Sequence, residues 1–348
     1  MIKATKIYDN LQNVLEPTVL QGACDHQFKG TQLENLVEYA GRICYDSLGS
    51  KQTRGSFEYH QHIIEVNHGS VQEHGTIVLN LYELNSFELH DAICQCVNRP
   101  GVSIYYKDID TSDGKARFKA TVVANLRAIR EWDSFGGITA TGLSTSTLDV
   151  GILLKQKVNR SAPRTYSLEG YDKDNKVSRF KKNYDYDANA SVAPDETTFV
   201  SFLIQGVSRN LSHELVRHKF QTAISQRSTR YVDESLSNIA WHPLLEGRFG
   251  FAKWFCKKVG QIAYRLAVQR IKSDLVESGA TALQAKKQAR GAARGFLPSA
   301  LETELVFTAS VSQWKRIIAM RNSSASDLEI QQLAAQIENQ LRESRFIV

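Results

Sequence analysis

The sequence of 348 residues lacks both kinds of membrane signal. No segment approaches the roughly 18 consecutive apolar residues that a spanning helix needs. The first residues, MIKATKIYDNLQNVLEP, have no apolar core of the kind found in signal peptides. We therefore expect a cytoplasmic protein.

Several familiar catalytic and metal-binding patterns are also missing. The 21 glycines form neither GxGxxG nor a P-loop, and there is no GxSxG elbow. In HELVRH the histidines His213 and His218 are five residues apart, which on a helix separates them by about 140° and excludes a shared zinc. The five cysteines are an odd number in a large chain, so a disulfide framework is not predicted. Cys94 and Cys96 lack a second pair at metal spacing, and we interpret them as ordinary thiols rather than a metal or redox site.

Charge is plentiful but spread out. The chain is 42% hydrophobic and 23% charged, with a formal charge of +6 and a pI of about 8.9. It contains no run of five or six like charges that would mark a basic arm. This balance is typical of a globular protein and fits either nucleic acid or small anionic substrates such as phosphates.

The hydrophobic pattern predicts an α+β fold with a mixed or antiparallel sheet and long helices. We expect helices at 31–47, 56–69, 249–279, 281–298 and 326–344, with capping boxes at Thr281/Gln284 and Ser326/Glu329. Strands are expected at 76–84 and 198–207, and the chain from about 205 onward is expected to be largely helical. The polar stretch 155–197 predicts a long loop. No internal repeat of 20–50 residues stands out.

The segment SHELVRHKFQTAISQRSTRY (212–231) concentrates positive charge among apolar residues. As a helix over 207–220 it would place Arg209, His213 and Arg217 on one stripe, followed by an irregular turn rich in donors. Such a wall suits a phosphate and a planar polar ring, because arginine forks bind phosphate bidentately. The same pattern also fits a solvated basic helix paired with acids elsewhere.

Four motifs in order resemble the flavin-dependent thymidylate synthase family. In that family an Arg-His-Arg triplet precedes Ser-x-Arg-Tyr, and here Arg217-His218-Lys219 precedes Ser228-Thr229-Arg230-Tyr231. The other three are HGSVQEHG (68–75), EYAGRICYDS (38–47) and the C-terminal segment that begins ARGFLPSALETEL. Together they cover about half of the chain.

The resemblance implies methylation of dUMP to dTMP with methylenetetrahydrofolate, FAD and NADPH, in a homotetramer. It implies that dUMP is bound by six residues, of which Arg321 is also catalytic: Glu214, Arg217, Ser228, Arg230, Arg294 and Arg321. It implies FAD contacts from five others: His68, Ser70, Glu73, His218 and Lys219. No metal is implied. A relative acting on another pyrimidine nucleotide and a non-enzymatic nucleic-acid-binding relative are the alternatives.

Departures from the family pattern lie in the same region. The triplet ends in Lys219, which lacks the guanidinium fork of arginine. Eight residues, rather than the family's seven, separate the triplet from Ser228. Ser310 and Ser312 stand where the family often has Asn-x-Arg. We expect one domain over 1–348, interrupted by an insertion at about 76–196 that carries the tripeptide 125–127, Asn-Leu-Arg. That tripeptide either supplies the lost contacts or belongs to a plain amphipathic helix.

Overall fold

The computed structural model describes residues 1–9, 14–15, 32–51, 53–96, 101–109, 114–131, 180–182 and 193–347. In these residues helices pack on two antiparallel sheets, so the fold class is α+β as predicted. Most of the loop predicted at 155–197 lies outside the described residues. Its described parts are a short strand and a short helix.

The described strands are β1 (Lys3–Asp9), β2 (Val14–Leu15), β3 (Thr76–Leu84), β4 (Val102–Ile109), β5 (Arg117–Asn125), β6 (Phe180–Lys182), β7 (Phe199–Ser208), β8 (Thr222–Gln226) and β9 (Glu302–Ser310). The described helices are α1 (Gln32–Tyr45), α2 (Ser56–Glu65), α3 (Ser86–Cys96), α4 (Leu126–Glu131), α5 (Pro194–Thr197), α6 (Arg209–Leu215), α7 (Gly250–Glu277), α8 (Ala282–Ala293), α9 (Val311–Arg321) and α10 (Leu328–Glu343). Within the described residues, four short 3-10 helices accompany them: Gly49–Lys51, Gly69–His74, Pro243–Leu245 and Arg294–Phe296.

The first sheet has the order β2-β1-β7-β9-β8, and its two faces enter different cores. Side chains alternate between the two faces along β7, and that of Phe202 points toward α9 and α10. Its ring packs edge-to-face against the buried Trp314, with 5.2 Å between the ring centroids. The neighbouring Leu203 points the other way, toward α1. The central position of β7 and β9 therefore follows from their being apolar on both faces.

The second sheet has the order β4-β5-β3-β6 and shares a core with the first. Helix α1 contributes Leu36 and Val37 to this core, and β5 contributes Val122 and Ala124. All four side chains are fully buried. Burial of this kind stabilises by roughly 25 cal/mol per Å² of apolar surface, so α1 holds the two sheets together.

The two sheets contain the same folding unit twice, which was not predicted. The first unit runs β3-α3-β4-β5-α4, and the second runs β7-α6-β8-β9-α9, with α7 and α8 inserted in the chain between β8 and β9. In each unit the third strand lies between the other two and pairs antiparallel with both. Thr76 faces Asn125 at one end of the first unit as Phe199 faces Ser310 in the second.

Fine details of the two units also coincide. A register shift follows the sixth paired residue in both, after Leu81 in β3 and after Ile204 in β7. Each third strand then runs directly into a helix. Asn125 caps α4 by accepting a hydrogen bond from the backbone N of Ala128 at 2.8 Å, and Ser310 caps α9 by accepting one from Gln313 N. A shared shift and a shared cap make these units an internal repeat.

Four predictions about the chain after residue 205 are wrong. The helix expected at 207–220 is only α6, because residues 199–208 belong to β7 and the helix ends at Leu215. Part of the expected irregular turn is strand β8. The cap of α10 is Asp327 rather than Ser326, since Glu329 turns inward to bind Ser208 N at 2.7 Å and Ser208 Oγ at 2.6 Å. The segment after 205 also contains β9, so it is less helical than expected.

Other predictions are confirmed. Helices α1 and α7 and strands β3 and β7 lie where the pattern placed them, and α2 ends just before Asn67, which adopts a left-handed φ of 54°. The capping box at Thr281 and Gln284 is present at the start of α8, although that helix ends at Ala293 rather than near Pro298. Within the described ranges, no helix has the length and apolar character needed to cross a membrane.

Candidate functional site

The cationic triplet lies in a turn between α6 and β8. Ser208 caps α6 by accepting a hydrogen bond from Leu211 N, and the helix stops before Val216. Arg217 and Lys219 are exposed, whereas His218 between them is 8% exposed. The turn therefore exposes the side chains of Arg217 and Lys219 to solvent and buries that of His218 against the protein.

His218 belongs to a cluster with Glu214 and Arg321. Arg321 lies at the end of α9; its Nη1 donates to Glu214 Oε2 at 2.9 Å and its Nε donates to His218 Nε2 at 3.1 Å. Burial, and then the positive charge of Arg321, lower the pKa of His218. The imidazole is therefore neutral at pH 7 and accepts a hydrogen bond, which fixes the direction of the guanidinium.

A second group lies on the loop after β8. Ser228 N donates to the carbonyl oxygen of Cys44 at 2.9 Å, which holds the loop against α1. Arg294 Nη1 reaches Thr229 Oγ1 at 3.4 Å, and Arg230 is exposed beside Gly291. Among the described residues, neither arginine forms an ion pair. Such cations can receive a phosphate.

Arg227, the remaining cation of the basic segment, has a structural role. Its Nη2 donates to the buried Glu234 Oε2 at 2.8 Å and to Ser237 Oγ at 2.8 Å. Removing either charge of such a buried pair would leave the other uncompensated. Arg227 therefore shapes the loop rather than facing a ligand.

The motif HGSVQEHG forms the 3-10 helix Gly69–His74 and its flanks. The last histidine, His74, is fully buried, with Nδ1 at 2.8 Å from Thr308 Oγ1 and Nε2 at 2.9 Å from Ser225 Oγ. These bonds fasten the segment to β8 and β9. Ser70 and Glu73, two of the predicted FAD contacts, are left exposed and half-buried.

His68, the third predicted contact in this segment, lies among aromatic rings. Its Nδ1 is bonded to the hydroxyl of Tyr45, whose ring meets Tyr231 edge-to-face at 4.8 Å. Lys287 Nζ lies 4.8 Å from the Tyr231 ring centroid. Burial, followed by the charge of Lys287, lowers the pKa of His68, so the imidazole is neutral at pH 7. This aromatic group was not predicted.

A pocket of about 710 Å³, here named the seam pocket, opens between the two repeated units. The second unit lines the pocket with the start of β7, the turn after α6 and the start of β8. The first unit lines it with the start of β4 and the junction of β5 with α4. Its lining is Glu73, Thr76, Gly101, Val102, Ser103, Val123, Asn125, Arg127, Ala128, Phe199, Lys219, Phe220, Gln221, Thr222, Ala223 and Thr308. The volume is in the range of small-molecule and cofactor sites.

Two residues that line the pocket, Arg127 and Gln221, are not among the predicted dUMP and FAD contacts. Arg127 Nη1 donates to Glu73 Oε1 at 2.6 Å, which joins the first unit to a predicted FAD contact. Gln221, with a left-handed φ of 48°, donates to Tyr105 Oη at 2.7 Å and accepts from Ser310 Oγ at 2.7 Å. The tripeptide at 125–127 was a usable signal for Arg127. Nothing in the sequence marks Gln221.

Eight of the eleven predicted site residues fall into three groups. Direct contacts unite Glu214, His218 and Arg321. The loop 228–230 meets Arg294, and Glu73 and Lys219 line the seam pocket together. Arg217 joins none of these through an ion pair in the part of the chain that the structure describes.

Comparison with known proteins points to one family. The family model described as thymidylate synthase complementing protein matches residues 162–344, just over half of the chain. A flavin-dependent thymidylate synthase from Mycolicibacterium vanbaalenii is 39% identical over 148 residues, which is 42% of this chain and 58% of that protein. The protein of the same name from Mycobacteroides abscessus is 36% identical over 148 residues, with the same coverage of 42% and 58%. The match thus spans less than two thirds of the length of these curated relatives.

Solved structures include a flavin-dependent thymidylate synthase from Helicobacter pylori complexed with FAD and dUMP. It is 21% identical, with a TM-score of 0.26, and the match covers 41% of this chain and 67% of that one. A second structure from the same organism, also with FAD and dUMP, is 20% identical with a TM-score of 0.25.

Proposed function

Because the chain belongs to the thymidylate synthase complementing protein family, we propose that it is a flavin-dependent thymidylate synthase. It would methylate dUMP to dTMP, with methylenetetrahydrofolate as carbon donor, FAD as redox cofactor and NADPH as reductant. The relatives that carry this name support the proposal. The observation that carries it is the placement of Arg321, which hydrogen bonds to Glu214 and His218 hold in a fixed direction.

The dUMP site in this proposal divides into a phosphate end and a ring end. Arg217, Arg230 and Arg294 would hold the phosphate, since each is an exposed cation without an ion pair among the described residues. Ser228 would complete the shell with its hydroxyl. A fixed cation next to the pyrimidine would stabilise negative charge that develops on the ring, and this is the role proposed for Arg321.

The residues also fit a flavin. Lys219 is an exposed cation at the mouth of a pocket of about 710 Å³, and the half-exposed ring of Phe220 offers a surface for stacking. His68, Ser70 and Glu73 would approach the cofactor from the segment that His74 anchors. When bound, FAD supplies the hydride chemistry, while these residues position it and shape its surroundings.

A homotetramer is the proposed assembly, and the surface of α7 supports it. Phe251, Phe255, Val259, Ile262 and Leu266 recur at helical spacing, and each is about half exposed or more. An apolar stripe of this length is the type of surface that other copies cover in an obligate oligomer.

We expect Phe255→Glu to dissociate the assembly, which light scattering would show as a lower mass. Conversion of the exposed Arg270 to Glu serves as the control on the same helix.

We also propose a cytoplasmic location and a single domain with an insertion at 76–196.

The activity is tested by following NADPH oxidation and dTMP formation from dUMP, methylenetetrahydrofolate and FAD. Arg321→Ala should lower kcat/KM by at least about 100-fold, because single electrostatic contacts at a transition state contribute on that scale. Arg217→Ala should also lower kcat/KM, because it removes a charge-assisted contact to the phosphate. Arg270→Ala, at an 81% exposed side chain, is the matched control.

Full activity in both active-site variants would refute the site. Failure of wild type to form dTMP would refute the function. Product formed from another pyrimidine nucleotide would favour the first alternative. A steeply salt-dependent affinity for DNA, without binding of free nucleotide, would favour the nucleic-acid-binding alternative.

A further inference from the structure

The family pattern combines a cationic triplet with an Asn-x-Arg tripeptide, and each repeated unit of this chain contains one of the two. The second unit has the triplet, and the first unit has the tripeptide. Helices α3 and α6 start at equivalent positions after the shared register shift, at Ser86 and at Arg209. Counting onward, the stretch 94–96, Cys-Gln-Cys, occupies the place of Arg217-His218-Lys219. The first unit therefore lacks the cationic turn that the second unit has.

The strand–helix junctions show the reverse. In the first unit the cap Asn125 is followed two residues later by Arg127, whereas the second unit has Ser310 and Ser312 at the equivalent places. Both serines are already engaged: Ser310 Oγ donates to Gln221 and Ser312 Oγ donates to Glu196 Oε1 at 2.7 Å. The second junction consequently offers no cation to a ligand.

The retained halves meet in the seam pocket. Asn125 and Arg127 of the first unit line it together with Lys219 and Gln221 of the second. Gln221 ties the walls together, because its side chain bonds both to Tyr105 of β4 and to Ser310 of β9. Neither unit could form this pocket alone.

Stability does not account for the pairing of Arg127 with Glu73. Their side chains are 41% and 29% exposed. Ion pairs with that degree of exposure contribute about 0–1 kcal/mol. A guanidinium held in a set direction at the edge of a large pocket is better suited to binding an anion, since its fork matches two phosphate oxygens.

We propose that Arg127 is a further cofactor-binding residue, which binds a phosphate of the flavin dinucleotide across the seam from Lys219. Glu73 orients Arg127, and Asn125 fixes the start of the helix that carries it. One chain thus builds from its own two units a composite site that would otherwise need the Asn-x-Arg tripeptide at 310–312. This inference rests on the proposed function for the identity of the ligand as FAD.

The test measures FAD affinity by quenching of flavin fluorescence on the full-length chain. Arg127→Gln should weaken the affinity by about tenfold or more, and Arg127→Lys should recover part of the loss, because the charge returns without the fork. Lys219→Gln should weaken binding in the same direction. Arg117→Gln removes a cation at the other end of β5 and should leave the affinity unchanged.

Three readouts separate this inference from the proposed function and from misfolding. The affinity for dUMP and the melting temperature should stay at wild-type values in Arg127→Gln. Wild-type turnover together with unchanged FAD affinity in that variant overturns the inference alone. A wild type that binds FAD through Arg127 but forms no dTMP overturns the proposed function alone, and a wild type that takes up no FAD overturns both.

Discussion

Lowering the pH should loosen the segment Gly69–His74 because of His74. This imidazole is completely enclosed, and burial lowers its pKa to about 3. In the unfolded chain an exposed histidine titrates near 6.5. Below pH 6.5 the unfolded state therefore binds a proton that the folded state does not, and the free energy of unfolding falls as the pH falls toward 3.

The magnitude follows from the gap between the two pKa values. Each pH unit inside the window removes about 1.4 kcal/mol per site, so between pH 7 and pH 4.5 His74 lowers the free energy of unfolding by roughly 2–3 kcal/mol. His60 is buried as well, and desolvation followed by the charge of Arg42 lowers its pKa to about 4. It adds a loss of similar size. Together they are a large fraction of the 5–15 kcal/mol typical of a domain.

Urea denaturation at a series of pH values and one protein concentration measures this effect, with His74→Gln as the comparison. The variant should be less stable at pH 7, since it loses the bonds to Thr308 and Ser225. The difference in the free energy of unfolding between wild type and variant should shrink by roughly 2–3 kcal/mol between pH 7 and pH 4.5. An equal difference at both pH values would refute the assignment of a neutral, buried His74.

Three further outcomes are expected from single changes. Arg321→Gln should raise the pKa of His218, because it removes a nearby positive charge; an NMR titration showing no rise would contradict the contact. Gly206→Ala should lower the melting temperature by several degrees, corresponding to roughly 1–3 kcal/mol, because φ is 68° and the added Cβ would collide with Met1 O. Thr281→Ala should remove about 1 kcal/mol from the stability of α8, read as lost helical protection in hydrogen exchange, and unchanged protection would exclude the capping box.

Local patterns predicted the elements whose signals are local. Helix α7 ends next to Gly279, which has a φ of 94°, and α8 begins with its capping box, because both features depend on neighbours within four residues. Strands β8 and β9 were missed since their sequences, TAISQ and ETELVFTAS, mix polar and apolar residues. They are strands because each finds a partner across the sheet.

The same limit explains the error at the cationic turn. Residues 207–220 have helical spacing of apolar side chains, but β7 continues to Ser208 and leaves only seven residues for α6. Glu329 looked like the third residue of a capping box. It instead bonds Ser208 at the start of α6, a contact between residues far apart in the chain. Spacing alone contains no information about such partners.

The family, the α+β class and the set of cations can be predicted from the order of residues, since motifs and composition reside there. Which of those side chains meet depends on the folded chain. The register of β3 on β5 and of β7 on β9 creates two equivalent units and brings Arg127 to the pocket that Lys219 lines. Strand register depends on hydrogen bonds and packing between distant segments, so the seam pocket is a property of the folded chain.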